Sequence, residues 1–132
     1  ALSETGLGIP PAQIAPFVVR RVGITNARRI ALCGGRFTGV EAQEIGLVHF
    51  VAQDADELEG ILTGVLNDIG KCAPGANAAT KKILMESLVK PVGDVLDEAS
   101  DLFAAQLRGP EGMEGVMAFM QKRPASWVET VE

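Results

Sequence analysis

The strongest constraint on the fold of this chain is the apolar periodicity of its second half. Between residues 54 and 71, apolar side chains recur at the i, i+3, i+4, i+7 spacing of a helix with one apolar face. A similar stripe runs from residue 91 to about 108. The two stripes consist of Leu58, Ile61, Leu62, Val65, Leu66 and Ile69, and of Val92, Val95, Leu96, Ala99, Leu102 and Phe103. The pattern predicts helices packed closely on one another.

Glycine, proline and capping residues set the expected ends of the helices. Thr25, Thr38 and Asp54 are good N-caps, and Gly23 is expected to stop the first helix. The β-prone run 47–51 predicts one strand, and the chain begins in a second segment that resembles a strand. The expected fold class is therefore mostly α with one or two short strands. The expected helices are 16–22, 26–33, 39–45, 54–71, 74–88, 91–108 and 111–122.

Length and composition narrow the function classes. The chain has 132 residues, 47% of them hydrophobic, which predicts an ordinary folded domain. A net charge of −5 argues against nucleic-acid or anionic-membrane binding, and no run reaches transmembrane length. Cys33 and Cys72 are unclustered and lack His at ligand spacing, so no metal site is expected. With no targeting signal visible, these features favour a cytoplasmic, reducing location.

The opening segment places one carboxylate before a rigid turn. Glu4 is followed by Gly6 and Gly8, which allow close backbone approach, and by Pro10-Pro11, which leads into a helix. This layout can hold an ionisable group at the edge of a cleft, although a surface position is the ordinary use of Glu. The apolar residues nearby in sequence are Leu7, Ile9, Ile14 and Phe17.

Five pieces of the chain resemble the enoyl-CoA hydratase/isomerase (crotonase) family. Glu4, Gly8 and Pro11 fit its Glu-x3-Gly-x2-Pro pattern, in which the Glu is a catalytic acid/base. The order and spacing of the pieces cover essentially the whole chain. Two departures are Cys33 in place of a usual Thr and Gly39 in place of a usual Ala. The other four pieces are the runs 23–42, 46–48, 74–82 and 114–124.

The resemblance implies a fold that this chain carries only in part. It corresponds to the C-terminal half of a crotonase-like α/β spiral, since family enzymes are about twice this length. Residues 1–53 are expected to end the spiral core, and 54–132 to form a helical oligomerisation region. The missing ββα half, on the same or a companion chain, supplies the two N–H groups that hold the thioester oxyanion. The segment alone is therefore expected to be inactive.

Specific roles follow from the same resemblance. It implies that Glu4 is the catalytic acid/base and that Lys122 binds the CoA phosphates, often in the site of a neighbouring subunit. Phe119 and Lys122, three residues apart, are expected to share one face of the last helix. The acyl-CoA thioester is a substrate and no cofactor is implied, and a homotrimer or dimer of trimers is expected. The implied substrate-binding and CoA-binding residues are Gly8, Pro11, Phe103, Phe119 and Lys122.

The sequence leaves three functions open. The main interpretation is an acyl-CoA hydratase. Glu4 would also suit a double-bond isomerase, which moves one proton between carbons. A helical oligomerisation module without chemistry is the third. The run 12–17 lacks the glycines of many straight-chain hydratases and resembles members acting on branched or carboxylated enoyl-CoAs, such as glutaconyl-CoA-type hydratases. Broad apolar stripes favour either a core or a subunit interface.

Overall fold

The structure, a computed structural model, describes residues 1–128 and is mostly helical, as the periodicity predicts. A short 3₁₀ helix, Glu4–Leu7, precedes six α-helices. The chain divides into two compact units, Ala1–Ile61 and a second that begins at Leu62, so the boundary falls inside the third helix. The expected functional division at residues 53 and 54 stays a prediction. The helices are α1 (Ala15–Leu32), α2 (Gly39–Glu44), α3 (Ala55–Gly70), α4 (Pro74–Glu86), α5 (Val92–Arg108) and α6 (Pro110–Met120).

The predicted strand at residues 47–51 is wrong, because residues 1–128 contain no strand. A strand needs a partner for its ladder of backbone hydrogen bonds, and the described part of the chain offers none. Side chains bond this segment instead: Arg21 Nε donates to the Leu47 carbonyl at 3.1 Å, and Gln43 Nε2 donates to the His49 carbonyl at 2.9 Å. The opening residues, also expected to be extended, lead directly into the 3₁₀ helix.

Helix α1 contains the break predicted at Gly23. The backbone there leaves helical values, with φ 72° and ψ 162°, a combination that favours glycine. Helical structure resumes at once, so Thr25 lies inside α1 and is not the N-cap that the sequence suggested. Asn26 Nδ2 donates to the Val22 carbonyl at 3.2 Å and bridges the break. The break at Gly23 therefore divides α1 into two helical segments, as predicted, although the second segment begins before the expected Asn26.

The predicted caps of α2 and α3 are confirmed. At α2, the Thr38 hydroxyl accepts from the Glu41 N–H, and the Glu41 carboxylate accepts from the Thr38 N–H, which completes a capping box. The Thr38 backbone N–H and then the Thr38 hydroxyl, both donating to the Glu41 carboxylate, lower the pKa of Glu41. At α3, Asp54 Oδ1 accepts from the Glu57 N–H at 2.8 Å. Local sequence therefore fixes these two helix starts.

The core of the first unit anchors the opening segment to α1. Leu2 is buried together with Val22, Ala27 and Ile30 of α1. Burying a leucine side chain contributes roughly 1.5–3 kcal/mol, enough to hold a short segment against a helix. The 3₁₀ helix that follows Leu2 is therefore tied to α1 through apolar packing as well as through the chain.

In the second unit, a distant carboxylate caps α4. Ala73, the N-cap residue, offers no side-chain acceptor. Glu111 of α6 accepts from the Gly75 N–H at 2.9 Å and from the Ala76 N–H at 3.1 Å, which satisfies two donors of the first turn. A Cβ at Gly75 would lie 2.7 Å from the Glu111 carboxylate. The missing side chain at Gly75 lets Glu111 approach the helix end and joins α6 to α4.

The chain leaves much apolar surface uncovered. Its accessible surface is 9885 Å², whereas a monomer of its 13.9 kDa exposes about 6,700 Å², and two separate domains of half that mass expose about 8,000 Å². Eight hydrophobic residues are buried among those described, and four of them are alanines. Much of the predicted apolar stripes is exposed, including Leu58, Leu62, Leu66, Ile69, Leu96 and Phe103. Within residues 1–128, no helix is both long and apolar enough to cross a membrane.

Candidate functional site

Glu4 is the first residue of the 3₁₀ helix and is partly buried. Its backbone carbonyl accepts from the Ile9 N–H at 3.1 Å. Its side-chain Oε2 is buried and has no hydrogen-bond partner among the described residues, and no other side-chain N or O atom described shares this state. A buried acceptor without a partner costs roughly 1–3 kcal/mol, and such groups are uncommon in folded chains. This oxygen is therefore not committed to a hydrogen bond within the described chain.

The apolar residues near Glu4 in sequence do not form a closed pocket around it. Leu7, Ile9, Ile14 and Phe17 are all exposed, between 43% and 76%. These four side chains therefore do not enclose Glu4 within the described chain. They form an open apolar surface on and after the turn that carries Glu4.

Gly8 and Pro11 shape the connection between Glu4 and α1. Gly8 has φ 78° and ψ 16°, the left-handed conformation that favours glycine, and its N–H donates to the Thr5 carbonyl at 3.1 Å. A Cβ at Gly8 would meet nothing within 4 Å, so backbone conformation explains this glycine better than close approach does. The Pro11 carbonyl accepts from the Ala15 N–H at 2.9 Å, which places Pro11 at the entry to α1.

The predicted CoA-binding residues lie in the second unit. Phe103 of α5 is 69% exposed, and Phe119 of α6 is 84% exposed. No ring contact joins the two phenylalanines in the part of the chain that the structure describes. The structure thus presents the candidate residues as two groups, one in each unit, with Glu4, Gly8 and Pro11 in the first.

Lys122 does not share a helix face with Phe119. Helix α6 ends at Met120, and Lys122 has φ 53°, which is left-handed and unusual for a residue with a side chain. The Arg123 N–H donates to the Ala118 carbonyl at 3.0 Å, and the Lys122 N–H donates to the Phe119 carbonyl at 3.2 Å. These two bonds define a Schellman motif, in which glycine ordinarily occupies the position of Lys122.

A pair that sequence reasoning missed fixes this turn. Arg123 donates to Glu114 through Nη1 at 2.6 Å and Nη2 at 2.9 Å, and the Ser126 N–H donates to the same carboxylate at 2.8 Å. These bonds, the Arg123 bonds first, lower the pKa of Glu114 to about 2. The two residues are nine apart and fit no helical pairing rule. Both residues lie in the run 114–124, and the resemblance of that run to the family was the one sequence feature that could have drawn attention to them.

Phe103 and Trp127 line one cavity in the second unit. The cavity has a volume of about 380 Å³, and its walls include Leu107, Gly115 and Val116. Trp127 Nε1 donates to the Lys71 carbonyl at 3.2 Å, and a Cβ at Gly115 would lie 3.2 Å from the indole. The absence of a side chain at Gly115 allows the indole to pack against α6. Trp127 was also missed, since nothing in its sequence neighbours marks it.

Known proteins resemble this chain along nearly all of its length. A sequence model described as enoyl-CoA hydratase/isomerase matches residues 1–130. The solved structure of Pseudomonas aeruginosa AtuE superposes with a TM-score of 0.91 at 54% identity, over 95% of this chain and 48% of that one.

Two relatives carry different activities in their names. Enoyl-CoA hydratase ACTT6 of Alternaria alternata is 34% identical over 119 residues, which are 89% of this chain and 40% of the relative. The peroxisomal Delta(3,5)-Delta(2,4)-dienoyl-CoA isomerase of Arabidopsis thaliana is 36% identical over 102 residues, 77% of this chain and 37% of that protein. The chain spans less than half the length of each of these proteins.

Proposed function

The chain belongs to the enoyl-CoA hydratase/isomerase family, and we propose that it supplies the C-terminal half of an acyl-CoA hydratase with Glu4 as general acid/base. The buried Oε2 of Glu4, which bonds to nothing in the described chain, carries the proposal. A carboxylate oxygen that is not committed to a structural hydrogen bond can take a proton from the attacking water. The same carboxyl group can then return a proton to the α-carbon.

The proposed enzyme needs a second part. As water adds to the β-carbon, negative charge develops on the thioester oxygen and must be stabilised by positioned N–H donors. We assign these donors to an N-terminal ββα half on the same or a companion chain. Two observations support a partner of that size: the matched proteins are about twice as long or longer, and this chain exposes far more surface than a self-contained domain.

The second unit is proposed to bind CoA and neighbouring subunits. Phe119 is almost fully exposed, which suits contact with an adenine, and Lys122 lies three residues further along for a phosphate. Lysine occupies a position where glycine would be less strained, which supports a role for its side chain. Phe103 is also proposed to contact the CoA. In the first unit, Gly8 and Pro11 are proposed to contact the acyl group of the substrate. A homotrimer or dimer of trimers would cover the exposed apolar helices.

A double-bond isomerase is the second candidate, and the dienoyl-CoA isomerase relative favours it. In that reaction Glu4 would move one proton between carbons and no water would be added. Assays in ¹⁸O-labelled water separate the two, because a hydratase places the labelled oxygen on the β-carbon and an isomerase incorporates none.

The substrate is proposed to be a branched or carboxylated enoyl-CoA of the glutaconyl-CoA type. The run 12–17, which follows the proline turn, supports this choice. Many straight-chain hydratases have a glycine-rich stretch there, whereas this chain has no glycine and carries Gln13, Ile14 and Phe17. The exposed side chains of Ile14 and Phe17 supply apolar surface at the turn next to Glu4. A comparison of kcat/KM for crotonyl-CoA and a glutaconyl-type substrate tests the choice.

The half-enzyme proposal predicts that these 132 residues alone are inactive. Losing even one oxyanion donor typically costs about 10²–10³ in rate, and this proposal assigns every such donor to the other half. The isolated chain should turn over neither crotonyl-CoA nor a branched enoyl-CoA, while the complete enzyme is the positive control. Substantial turnover by the isolated chain would refute the proposal.

A further inference from the structure

Thr5 ties the turn that carries Glu4 to the end of α1. Its hydroxyl donates to the Ala31 carbonyl at 2.8 Å in a partly buried setting, across 26 residues of sequence. Ala31 lies in the last turn of α1, where carbonyl groups have no N–H donor four residues ahead inside the helix. The Thr5 hydroxyl therefore supplies a donor that the helix itself cannot provide.

The chain after α1 leaves room for this contact. Gly34 has φ 59°, which favours glycine, and a Cβ built on it would lie 3.3 Å from Thr5 Oγ1 and 3.6 Å from the Gly6 nitrogen. A side chain at residue 34 would therefore crowd the 3₁₀ helix at the residue that holds it. Two independent features, a hydrogen bond and a missing side chain, place Thr5 against the end of α1.

The position of the Glu4 carboxyl depends on this backbone. No hydrogen bond or ion pair of that carboxyl is found within residues 1–128, and its Oε2 is buried. A side chain without its own polar anchor takes its position from its main chain and from packing. The nearest anchors are the Leu2 side chain, which is buried against α1, and the Thr5 hydroxyl.

We propose that Thr5 is a positioning residue for Glu4. Its bond to the Ala31 carbonyl holds the 3₁₀ helix at one distance from α1, and so sets where the Glu4 carboxyl meets the substrate. The proposal rests on the proposed function of Glu4 as acid/base. It adds that the hydroxyl of the next residue is required for that function.

The test compares Thr5→Val and Thr5→Ser in the complete enzyme. Valine keeps the shape and removes the donor, so kcat should fall about ten- to hundredfold, the range expected when a reacting group is displaced by a fraction of an ångström to 1 Å. KM should change less than about threefold, because the residues proposed to bind CoA, Phe103, Phe119 and Lys122, belong to the second unit. Serine retains the hydroxyl and should restore kcat to within about threefold. Should Thr5→Val fail to fold, Thr5→Ala gives the same comparison.

A second arm separates positioning from general destabilisation. In a Glu4→Gln background, Thr5→Val should cause no further loss of kcat, because the residue it positions no longer transfers protons. Thr38→Val is the matched control: it removes a cap hydroxyl at α2 and should lower the denaturation midpoint while kcat is unchanged.

Each outcome has a distinct meaning. If Glu4→Gln lowers kcat but Thr5→Val does not, or if Thr5→Val lowers kcat equally in both backgrounds, the positioning role of Thr5 is overturned and Glu4 remains the acid/base. If Glu4→Gln itself leaves kcat unchanged, the proposed function fails, and the role of Thr5 fails with it.

Discussion

Glu4 in the first unit and Glu114 in the second are two partly buried glutamates with opposite hydrogen bonding. Both oxygens of Glu114 accept bonds, from the Arg123 guanidinium and from the Ser126 N–H. The Oε2 of Glu4 is buried and accepts none from the described chain. A partly buried carboxylate in this chain can therefore be fully hydrogen-bonded, as in Glu114, or can keep a buried oxygen without a hydrogen bond to the described residues, as in Glu4.

The difference separates a structural carboxylate from a candidate for chemistry. The guanidinium of Arg123 and the Ser126 N–H hold the pKa of Glu114 at about 2, so this group stays ionised near neutral pH and cannot donate a proton there. Its bonds close the turn after α6. The Oε2 of Glu4 has no such partner within the described chain, so proton transfer by this oxygen would cost no structural hydrogen bond there.

The largest expected change in activity is the one caused by replacing Glu4, whose Oε2 has no partner within the described chain. In the complete enzyme, Glu4→Gln keeps the size of the side chain and removes proton transfer, so kcat should fall about 10²–10⁴-fold with little change in KM. Steady-state kinetics with an enoyl-CoA substrate measure both constants. Near-normal kcat would reduce Glu4 to a structural carboxylate.

The matched control for this variant is Glu44→Gln. The Glu44 carboxylate is exposed and makes no hydrogen bond or ion pair with any described residue, so this change should leave kcat within about twofold. If both variants lose activity to the same degree, loss of charge in general is responsible and not the position of Glu4.

Apolar periodicity, together with glycine, proline and capping residues, predicted most of the fold, because helices and their ends are determined by residues close together in sequence. The Thr38 and Asp54 caps, the break at Gly23 and the six helical regions all depend on residues within a few positions of one another. The run 47–51 failed because β propensity reflects a fit to a neighbouring strand, and the described chain provides none.

The candidate site was predicted only in part, for a related reason. The motif spacing identified Glu4, but periodicity cannot reveal contacts between distant residues such as Thr5 with Ala31 or Glu114 with Arg123. The left-handed turn at Lys122, which separates that residue from the face of Phe119, is likewise invisible in helical spacing. These contacts arise from how the chain turns after each helix ends.

The Glu114 side of the comparison predicts a defined response to acid. Because the pKa of Glu114 in the folded chain, about 2, lies below its ordinary value of 4.5, the stabilisation by its ion pair is complete above pH 4.5. It is lost as the pH falls from 4.5 through 2. Glu114→Gln should therefore open the turn after α6 at neutral pH and have little effect near pH 2.

Hydrogen exchange of the Ser126 amide measures this directly, since that N–H bonds to Glu114. The rate in Glu114→Gln divided by the rate in the unaltered protein should exceed about 5 above pH 5 and approach 1 near pH 2. Dividing the two rates at each pH removes the intrinsic pH dependence of exchange. A ratio independent of pH would show that the carboxylate charge does not hold the turn.

The smallest effects concern Lys122, where backbone strain and a proposed phosphate contact oppose each other. Lys122→Gly should relieve the left-handed strain at φ 53° and raise the free energy of unfolding by about 1 kcal/mol or less. Lys122→Ala retains that strain, so it should stabilise little.

Both changes remove the charge and should raise KM for the CoA ester about two- to fivefold, with weaker salt dependence. Equal stability of the two variants would remove the strain argument, and an unchanged KM in both would remove Lys122 from the CoA site. A stabilised glycine variant with weakened CoA binding is the result expected if lysine is kept at this turn for its charge.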